Sequence, residues 1–191
     1  MRRLPFPPKV LLLSTTLALI AAVAVYVLLT PSSDAGSNQI PLEKDPTAGI
    51  AYTTFDGTQV PISVHRGTPM VVNFFSKDCV PCIKEMPALE QVHQAFGDQV
   101  QILGLAVEDR GEDAQAFVKQ TGVTYSTARD PDGQVIHALG GVALLPTTVL
   151  LDADGAIVTR HRGEITAAEL TKLLHDELGL DAGAAPSTTA A

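Results

Sequence analysis

The sequence predicts an α/β fold, with a mixed central sheet, helices on both faces, an N-terminal β-hairpin and one transmembrane helix preceding the domain. Three observations support this prediction. Segments with strand and helix periodicity alternate through residues 49–180, two pairs of short strand-like segments flank turns that contain Asp and Gly, and an uncharged apolar segment comes before the domain. Strand–helix–strand units favour parallel pairing whereas hairpins supply antiparallel strands, so the sheet should be mixed.

The apolar segment at residues 10–29 contains no charged residue, and residues 1–9 contain three basic ones. A helix of about 20 residues is long enough to cross the hydrocarbon core of a bilayer. Because basic residues concentrate on the cytoplasmic side of such helices, we expect a single-pass protein of the cell membrane with a cytoplasmic segment at 1–9 and an extracytoplasmic domain. A cleaved signal peptide is the alternative, and it would export the domain as well.

Segments with few apolar residues lie on both sides of the domain. Residues 30–48 are rich in Pro, Ser, Gly and Asp and predict a flexible linker, and residues 181–191 predict a disordered tail. The formal net charge is −8, which gives the protein no electrostatic reason to bind nucleic acid.

The domain at 49–180 is predicted to begin with a hairpin of 51–55 and 59–64, whose second strand contains Pro61 and therefore lies at an edge. The continuous apolar segment at 70–75 predicts a strand buried on both faces. The later elements follow from helical spacing, short apolar segments and turn residues. They are a helix at 81–96, a strand at 100–107, a helix at 113–120, a short helix at 135–139, a hairpin of 147–151 and 157–161, and a helix that follows the capping box at Thr166 and ends at Leu178.

The cysteines Cys79 and Cys82 are the only two in the chain and enclose two residues. A disulfide that closes so short a loop stabilises little, which favours a chemical role over a structural one. The pair follows a buried strand and opens a helix, where N–H groups and partial positive charge stabilise a thiolate. Cys79 is therefore the predicted nucleophile, Pro81 suits the first helical turn, and Cys82 resolves the mixed disulfide. The redox-active disulfide itself is the reacting group, and no other cofactor is predicted.

A zinc site is the structural alternative for this cysteine pair. Structural zinc needs four ligands, and none of the five histidines forms a closely spaced ligand pair. We therefore predict no metal, although His137 lies in a short helix near the expected site. Most of the histidines are expected at the surface.

Two segments together identify a family. Residues 72–87 (VNFFSKDCVPCIKEMP) and 145–155 (LPTTVLLDADG) resemble the TlpA/ResA/CcmG-like membrane-anchored thioredoxin-family oxidoreductases. The resemblance covers roughly residues 49–178 and implies a thioredoxin-like fold and a thiol–disulfide exchange cycle. It also implies a cis bond before Pro146 and pairing of the Leu145 backbone with an extended substrate; the residues alone leave cis and trans open.

The resemblance also suggests where the proton of Cys82 goes. Thioredoxins proper carry a buried aspartate in the strand before the motif, and Asn73 stands at that position. Glu85 lies three residues after Cys82 on the same helix face and resembles the acid of the TlpA/ResA-like proteins. We expect it to accept the proton of Cys82, with a solvated helix glutamate as the alternative.

The chain departs from the family pattern just before the first cysteine. Asp78 stands where Trp is usual, and its negative charge should raise the pKa of Cys79. Lys77 partly opposes this effect. The balance bears on whether the pair reduces or oxidises its substrates.

The function predicted from these features is reduction of protein disulfides outside the cytoplasm, of the kind that serves cytochrome c maturation or copper-oxidase assembly. The resemblance implies disulfide- or thiol-bearing protein substrates and a membrane thiol-transport electron donor. A copper chaperone of the same fold is an alternative, but such proteins generally use CxxxC. A thiol peroxidase would need proline at Val72, and a non-catalytic tethered binding module would leave the placement of the cysteines unexplained.

Overall fold

The computed structural model describes residues 47–107, 110–141 and 144–183. Within these residues one seven-stranded sheet runs through the domain in the order β2-β1-β5-β4-β3-β6-β7. In chain order the strands are β1 (Ala51–Thr53), β2 (Gln59–Pro61), β3 (Met70–Phe75), β4 (Gln101–Ala106), β5 (Ser126–Arg129), β6 (Thr147–Leu151) and β7 (Ile157–Arg162). The strands β3, β4 and β5 are mutually parallel, and the remaining pairs are antiparallel. The predicted mixed sheet and N-terminal hairpin are confirmed.

The described residues form four α-helices: α1 (Val80–Phe96), α2 (Gly111–Thr121), α3 (Gln134–Ala138) and α4 (Ala167–Leu178). Short 3-10 helices lie at Ile62–His65 and Gly97–Gln99. The capping box predicted at the start of the last helix is present, and Gly179 ends that helix in the left-handed conformation.

The central strand β3 is buried along its whole length, so its alternating side chains belong to two different cores. On one face Val72 and Phe74 pack with residues of the hairpin and with Val135 of α3. On the other face Val71 packs with residues of α1 and α4, and Phe75 packs beside α1 and α2. Helices therefore cover both faces, as predicted, with the three longer ones on the Phe75 side.

Strand β5 was missed by the sequence prediction, which continued from the helix at 113–120 to the turn at 130–133. Its sequence is STAR, with one fully buried residue, Ala128. Apolar alternation cannot detect such a strand. It pairs in parallel with β4 and in antiparallel with Thr53, and so joins the N-terminal hairpin to the rest of the sheet.

The edge strand and the residues that follow the last helix show local detail beyond the sequence prediction. Pro61 is the last residue of β2, which lies at the sheet edge as predicted but is shorter, because a 3-10 helix follows it. At the other end, residues 181–183 pair with the domain, since Gln99 donates to the Asp181 carbonyl and the Gly183 N–H donates to Ala95.

No helix among the described ranges is both long enough and apolar enough to cross a bilayer. The predicted basic segment at 1–9, the transmembrane segment at 10–29, the linker at 30–48 except for its last two residues, and the tail from 184 onward lie outside the described residues.

Candidate active site

The two cysteines lie at the first turn of α1, directly after the central strand β3. Cys79 is the N-cap residue, with extended backbone angles, and its Sγ accepts a hydrogen bond from the Cys82 N–H at 3.3 Å. The pair forms a disulfide with an S–S distance of 2.09 Å. Cys82 is fully buried whereas Cys79 is partly exposed, so a substrate approaching from solvent meets Cys79 first.

The start of the helix favours negative charge at Cys79. The first N–H groups of a helix lack internal acceptors, and they carry the partial positive charge of the helix dipole. Pro81, within this first turn, has no N–H of its own, and the Cys82 N–H points at the Cys79 sulfur. The geometry therefore stabilises a thiolate at Cys79 when the disulfide opens.

Two charged residues precede Cys79 and pair with each other. The Lys77 Nζ lies 2.6 Å from an oxygen of Asp78, whose side chain is largely exposed. Opposite charges so close together partly cancel at a distance, and solvent screens what remains.

Glu85 lies one turn after Cys82 and is only 1 % exposed. Its Oε1 accepts a hydrogen bond from Asn73 Nδ2 at 2.6 Å, and its Oε2 accepts one from the Ile165 N–H at 3.1 Å. Burial raises the pKa of Glu85 from 4.5 to about 7, against the two hydrogen bonds that lower it, and the charge of Glu164 raises it further. A carboxyl group in this state can exchange a proton near neutral pH.

The sheet holds the partner of Glu85 in place. Asn73 is fully buried in β3 and directly opposite Thr148 of β6, and its Nδ2 also donates to Thr148 Oγ1 at 3.1 Å. Asn73 is uncharged, so the acid of the site is supplied from α1 instead of from the strand.

The Leu145–Pro146 peptide bond is cis, as the resemblance implies. Leu145 packs against the cluster that contains Cys82 and Met86, on which Cys79 also packs. The loop before β6 therefore lies against the cysteine pair, and Leu144 beside it is largely exposed.

The structure brings the predicted site residues together and adds two partners that sequence reasoning missed. These are Thr148, which contacts Asn73, and the backbone N–H of Ile165, which contacts Glu85. One sequence signal was available for the first, since threonines at the start of an otherwise apolar strand leave a polar side chain on each face. The second has no sequence signal, because any residue other than proline supplies the same N–H group.

None of the five histidines is fully buried. His65, His93 and His161 are half-buried, and only His137 and His175 are exposed. His65 contacts Tyr52 and Gln101. Within the described part of the chain, no three His, Cys, Asp or Glu side chains converge as a group that could hold a metal ion.

The chain is similar to known thiol–disulfide oxidoreductases. Residues 44–160 match the model of the AhpC/TSA family. The thiol-disulfide oxidoreductase ResA of Bacillus thuringiensis (strain Al Hakam) is 29% identical over 161 residues, which cover 84% of this chain and 92% of that protein. The thiol:disulfide interchange protein DsbE of Xylella fastidiosa is 29% identical over 168 residues, or 86% of this chain and 82% of that protein. Among solved structures, a DsbF homologue from Corynebacterium diphtheriae superposes with a TM-score of 0.61 at 30% identity, covering 66% of this chain and 83% of that one.

Proposed function

Since the chain belongs to the AhpC/TSA family and is a thiol–disulfide oxidoreductase of the ResA/DsbE-like kind, we propose that it reduces disulfide bonds of proteins outside the cytoplasm. The observation that carries this proposal is the asymmetry of the cysteine pair. Cys79 is accessible at a helix start, whereas Cys82 is buried beside a carboxyl group whose pKa is raised to about 7.

The first step is attack by the Cys79 thiolate on a substrate disulfide. A bond forms between Cys79 Sγ and one substrate sulfur, and the other substrate sulfur leaves as a thiolate. The helix start stabilises the attacking thiolate, and the backbone of Leu145 pairs with the substrate segment, as in the family it resembles. The product is a mixed disulfide.

The second step resolves this mixed disulfide. Cys82 loses its proton to Glu85 and attacks Cys79 Sγ, so that the Cys79–Cys82 bond forms and the second substrate thiolate is released. Two electrons pass from the cysteine pair to the substrate. A buried base with a pKa near neutrality suits this transfer, because it is ionised often enough to accept the proton and basic enough to hold it.

The cycle then requires a reductant for the Cys79–Cys82 disulfide. We propose a membrane thiol-transport protein as the electron donor and anchoring through residues 10–29 as the means of keeping the domain near it. The substrates we propose are proteins that need free thiols outside the cytoplasm, as in cytochrome c maturation or copper-oxidase assembly. The family resemblance supports these assignments, and an exported acidic domain is compatible with them.

Single cysteine replacements test the assigned roles. We expect Cys79→Ser to abolish exchange with a disulfide-bonded protein, and Cys82→Ser to accumulate a mixed disulfide that mass spectrometry detects. In the reduced full chain, Cys79 should be alkylated faster than Cys82, because Cys82 is buried. Faster alkylation of Cys82 would reverse the roles.

The reduction potential of the pair tests the direction. A reductase needs a potential well below the poise of its compartment, so we expect a value on the thioredoxin side of the scale, about −270 mV, and not near the strong oxidants at about −120 mV. A value near the latter would make the protein an oxidase.

A further inference from the structure

The carboxyl group of Glu85 is surrounded by hydrogen-bond donors. Oε1 accepts from Asn73 Nδ2 and Oε2 accepts from the Ile165 backbone N–H, and neither of these groups can accept a proton. A carboxylate is an acceptor at both oxygens, so the cluster fits the ionised form of Glu85.

The protonated form does not fit the same arrangement. Its O–H is a donor, and neither of the two groups that bond the carboxyl offers it an acceptor in the present orientation. A buried donor without an acceptor is costly. Since the proposed function requires Glu85 to take the proton of Cys82, the cluster has to supply an acceptor when the proton arrives.

Asn73 contains that acceptor. Its Oδ1 is buried and has no hydrogen-bond partner among the described residues, which is unusual for a buried amide oxygen. The last torsion of an asparagine is broad and roughly two-fold, so a half-turn of the amide exchanges the positions of Oδ1 and Nδ2 at little intrinsic cost. The half-turn places Oδ1 against the Glu85 carboxyl and moves Nδ2 to the position that Oδ1 now occupies. The hydrogen bond that the protonated carboxyl gains is therefore partly offset by the two that Nδ2 gives up.

Thr148 can serve the amide in either orientation. Its Oγ1 now accepts from Asn73 Nδ2 at 3.1 Å, and after a half-turn the same hydroxyl can donate to Oδ1, because a hydroxyl is both donor and acceptor. Asn73 and Thr148 are direct cross-strand partners, so the sheet fixes their separation in both states.

We propose that Asn73 and Thr148 are a positioning pair that holds Glu85 in both of its protonation states, with the Asn73 amide reversing when Glu85 takes the proton from Cys82. This inference rests on the proposed role of Glu85. In the step itself the proton moves from Cys82 Sγ to a Glu85 oxygen, and Asn73 changes its orientation and neither gains nor loses a proton. No electrons move until Cys82 attacks.

The other titratable groups near Glu85 do not position its carboxyl group. Cys82 lies on the same helix and supplies the proton. Glu164, exposed in the loop before α4, raises the pKa of Glu85 by its charge, and the buried Tyr125 phenol has its own pKa raised by burial and by Glu85. Among the described residues neither group forms a hydrogen bond with the carboxyl, and from the sheet the uncharged Asn73 donates to it.

The orientation of the amide can be observed directly, because the chain contains only two asparagines, Asn38 and Asn73. The full oxidised chain, with labelled asparagine and glutamate side chains, would be followed by NMR through the titration of Glu85. An Asn38→Ser variant assigns the signals. Above the Glu85 midpoint the Asn73 Nδ2 protons should show contacts to Glu85 and Thr148, and below it both contacts should disappear in step with the carboxyl titration.

The NMR outcomes test the amide reversal separately from the role of Glu85 as proton acceptor. An amide that keeps its orientation while Glu85 titrates would overturn the reversal and leave the proposed function intact. A Glu85 that does not titrate at all would overturn both the reversal and its role as proton acceptor. Glu85→Gln, which has no charge to change, should fix the amide in one orientation at every pH.

Kinetics test whether the pair positions Glu85. Asn73→Leu removes the hydrogen bond to the carboxylate and also the acceptor for the protonated form. Because the bond to the charged form is the stronger of the two, the midpoint pH of mixed-disulfide resolution should rise by about one unit, while attack by Cys79 keeps its rate. Thr148→Ser should retain the wild-type profile. Thr127→Val is the matched control. It removes a polar group two strands away from Asn73 in the same row of the sheet and should not shift the midpoint pH.

If Asn73→Leu does not fold, Thr148→Val provides the same comparison against Thr148→Ser. An unshifted pH profile in the folded variant would overturn the positioning role.

Discussion

At the scale of single residues, the burial of Glu85 makes the stability of the fold depend on pH. The pKa of Glu85 is about 7 in the folded protein and 4.5 when unperturbed, so between these values the folded state holds a proton that the unfolded state has released. Stability from this group is therefore complete below about pH 4.5 and is lost as the pH rises through about 7.

Glu85 should therefore make the oxidised wild type less stable near neutral pH than in mild acid. Relative to Glu85→Gln, which does not titrate, the free energy of unfolding of the oxidised wild type should fall by about 3 kcal/mol between those two pH values. Denaturant unfolding of both proteins across this range measures the difference, in which contributions from all other groups cancel. Parallel curves would show that Glu85 ionises in the folded protein as it does in water.

The same residue should control the second step of exchange. Glu85→Gln preserves size but cannot accept a proton, so we expect slower release of the mixed disulfide while attack by Cys79 is less affected. The pH dependence of exchange for both proteins measures this. Glu112→Gln makes the same chemical change at an exposed site in α2 and should behave as wild type. Superimposable profiles for wild type and Glu85→Gln would mean that the proton goes elsewhere.

At the scale of elements, the start of α4 depends on a reciprocal cap that also bears on the site. Thr166 Oγ1 accepts from the Glu169 N–H, and the Glu169 carboxylate accepts from the Thr166 hydroxyl and from the Thr166 N–H. These two bonds to the carboxylate, the hydroxyl bond first, lower the pKa of Glu169. The preceding residue is Ile165, whose N–H holds Glu85. The cap therefore fixes the chain just where it contacts the buried carboxyl.

Removal of the Thr166 cap should destabilise the protein. Thr166→Ala should lower the free energy of unfolding by about 1 kcal/mol, because the first N–H groups of α4 lose their side-chain acceptor. Thr166→Ser retains the hydroxyl and should remain close to wild type. Urea denaturation of the full chain measures both variants, and equal stability of the Ala and Ser variants would contradict a role for the cap.

Elements were predictable from sequence in proportion to how strongly their own residues determine them. The buried strand β3 and the capped helix α4 carry continuous apolar segments and terminal signals, and they form where the sequence places them. Strand β5 has neither, since it is a strand only because β4 and β1 pair with it on both sides. Likewise, Glu85 could be selected from its spacing to Cys82, but its contact with Ile165 joins residues 80 positions apart and depends on the completed fold.

At the scale of the whole molecule, the proposed function requires the domain to meet both an oxidised substrate and the membrane electron donor proposed for it. A tether near the membrane raises the local concentration of the domain around such a donor. The formal net charge of −8 gives no support for electrostatic binding to an anionic lipid surface, so membrane association should depend on residues 10–29.

Fractionation of cells that express the full chain tests this assignment. Because an uncharged apolar segment of about 20 residues gains its stability from the hydrocarbon core, the protein should stay in the membrane fraction after washing at high salt and should be released by detergent. A variant with several charges introduced into residues 10–29 is the control, and it should lose membrane retention since each charge at the centre of a spanning helix costs about 3 kcal/mol. Recovery of a mature soluble form that begins beyond residue 20 would replace the anchor with a cleaved signal peptide, while leaving the domain on the same side of the membrane.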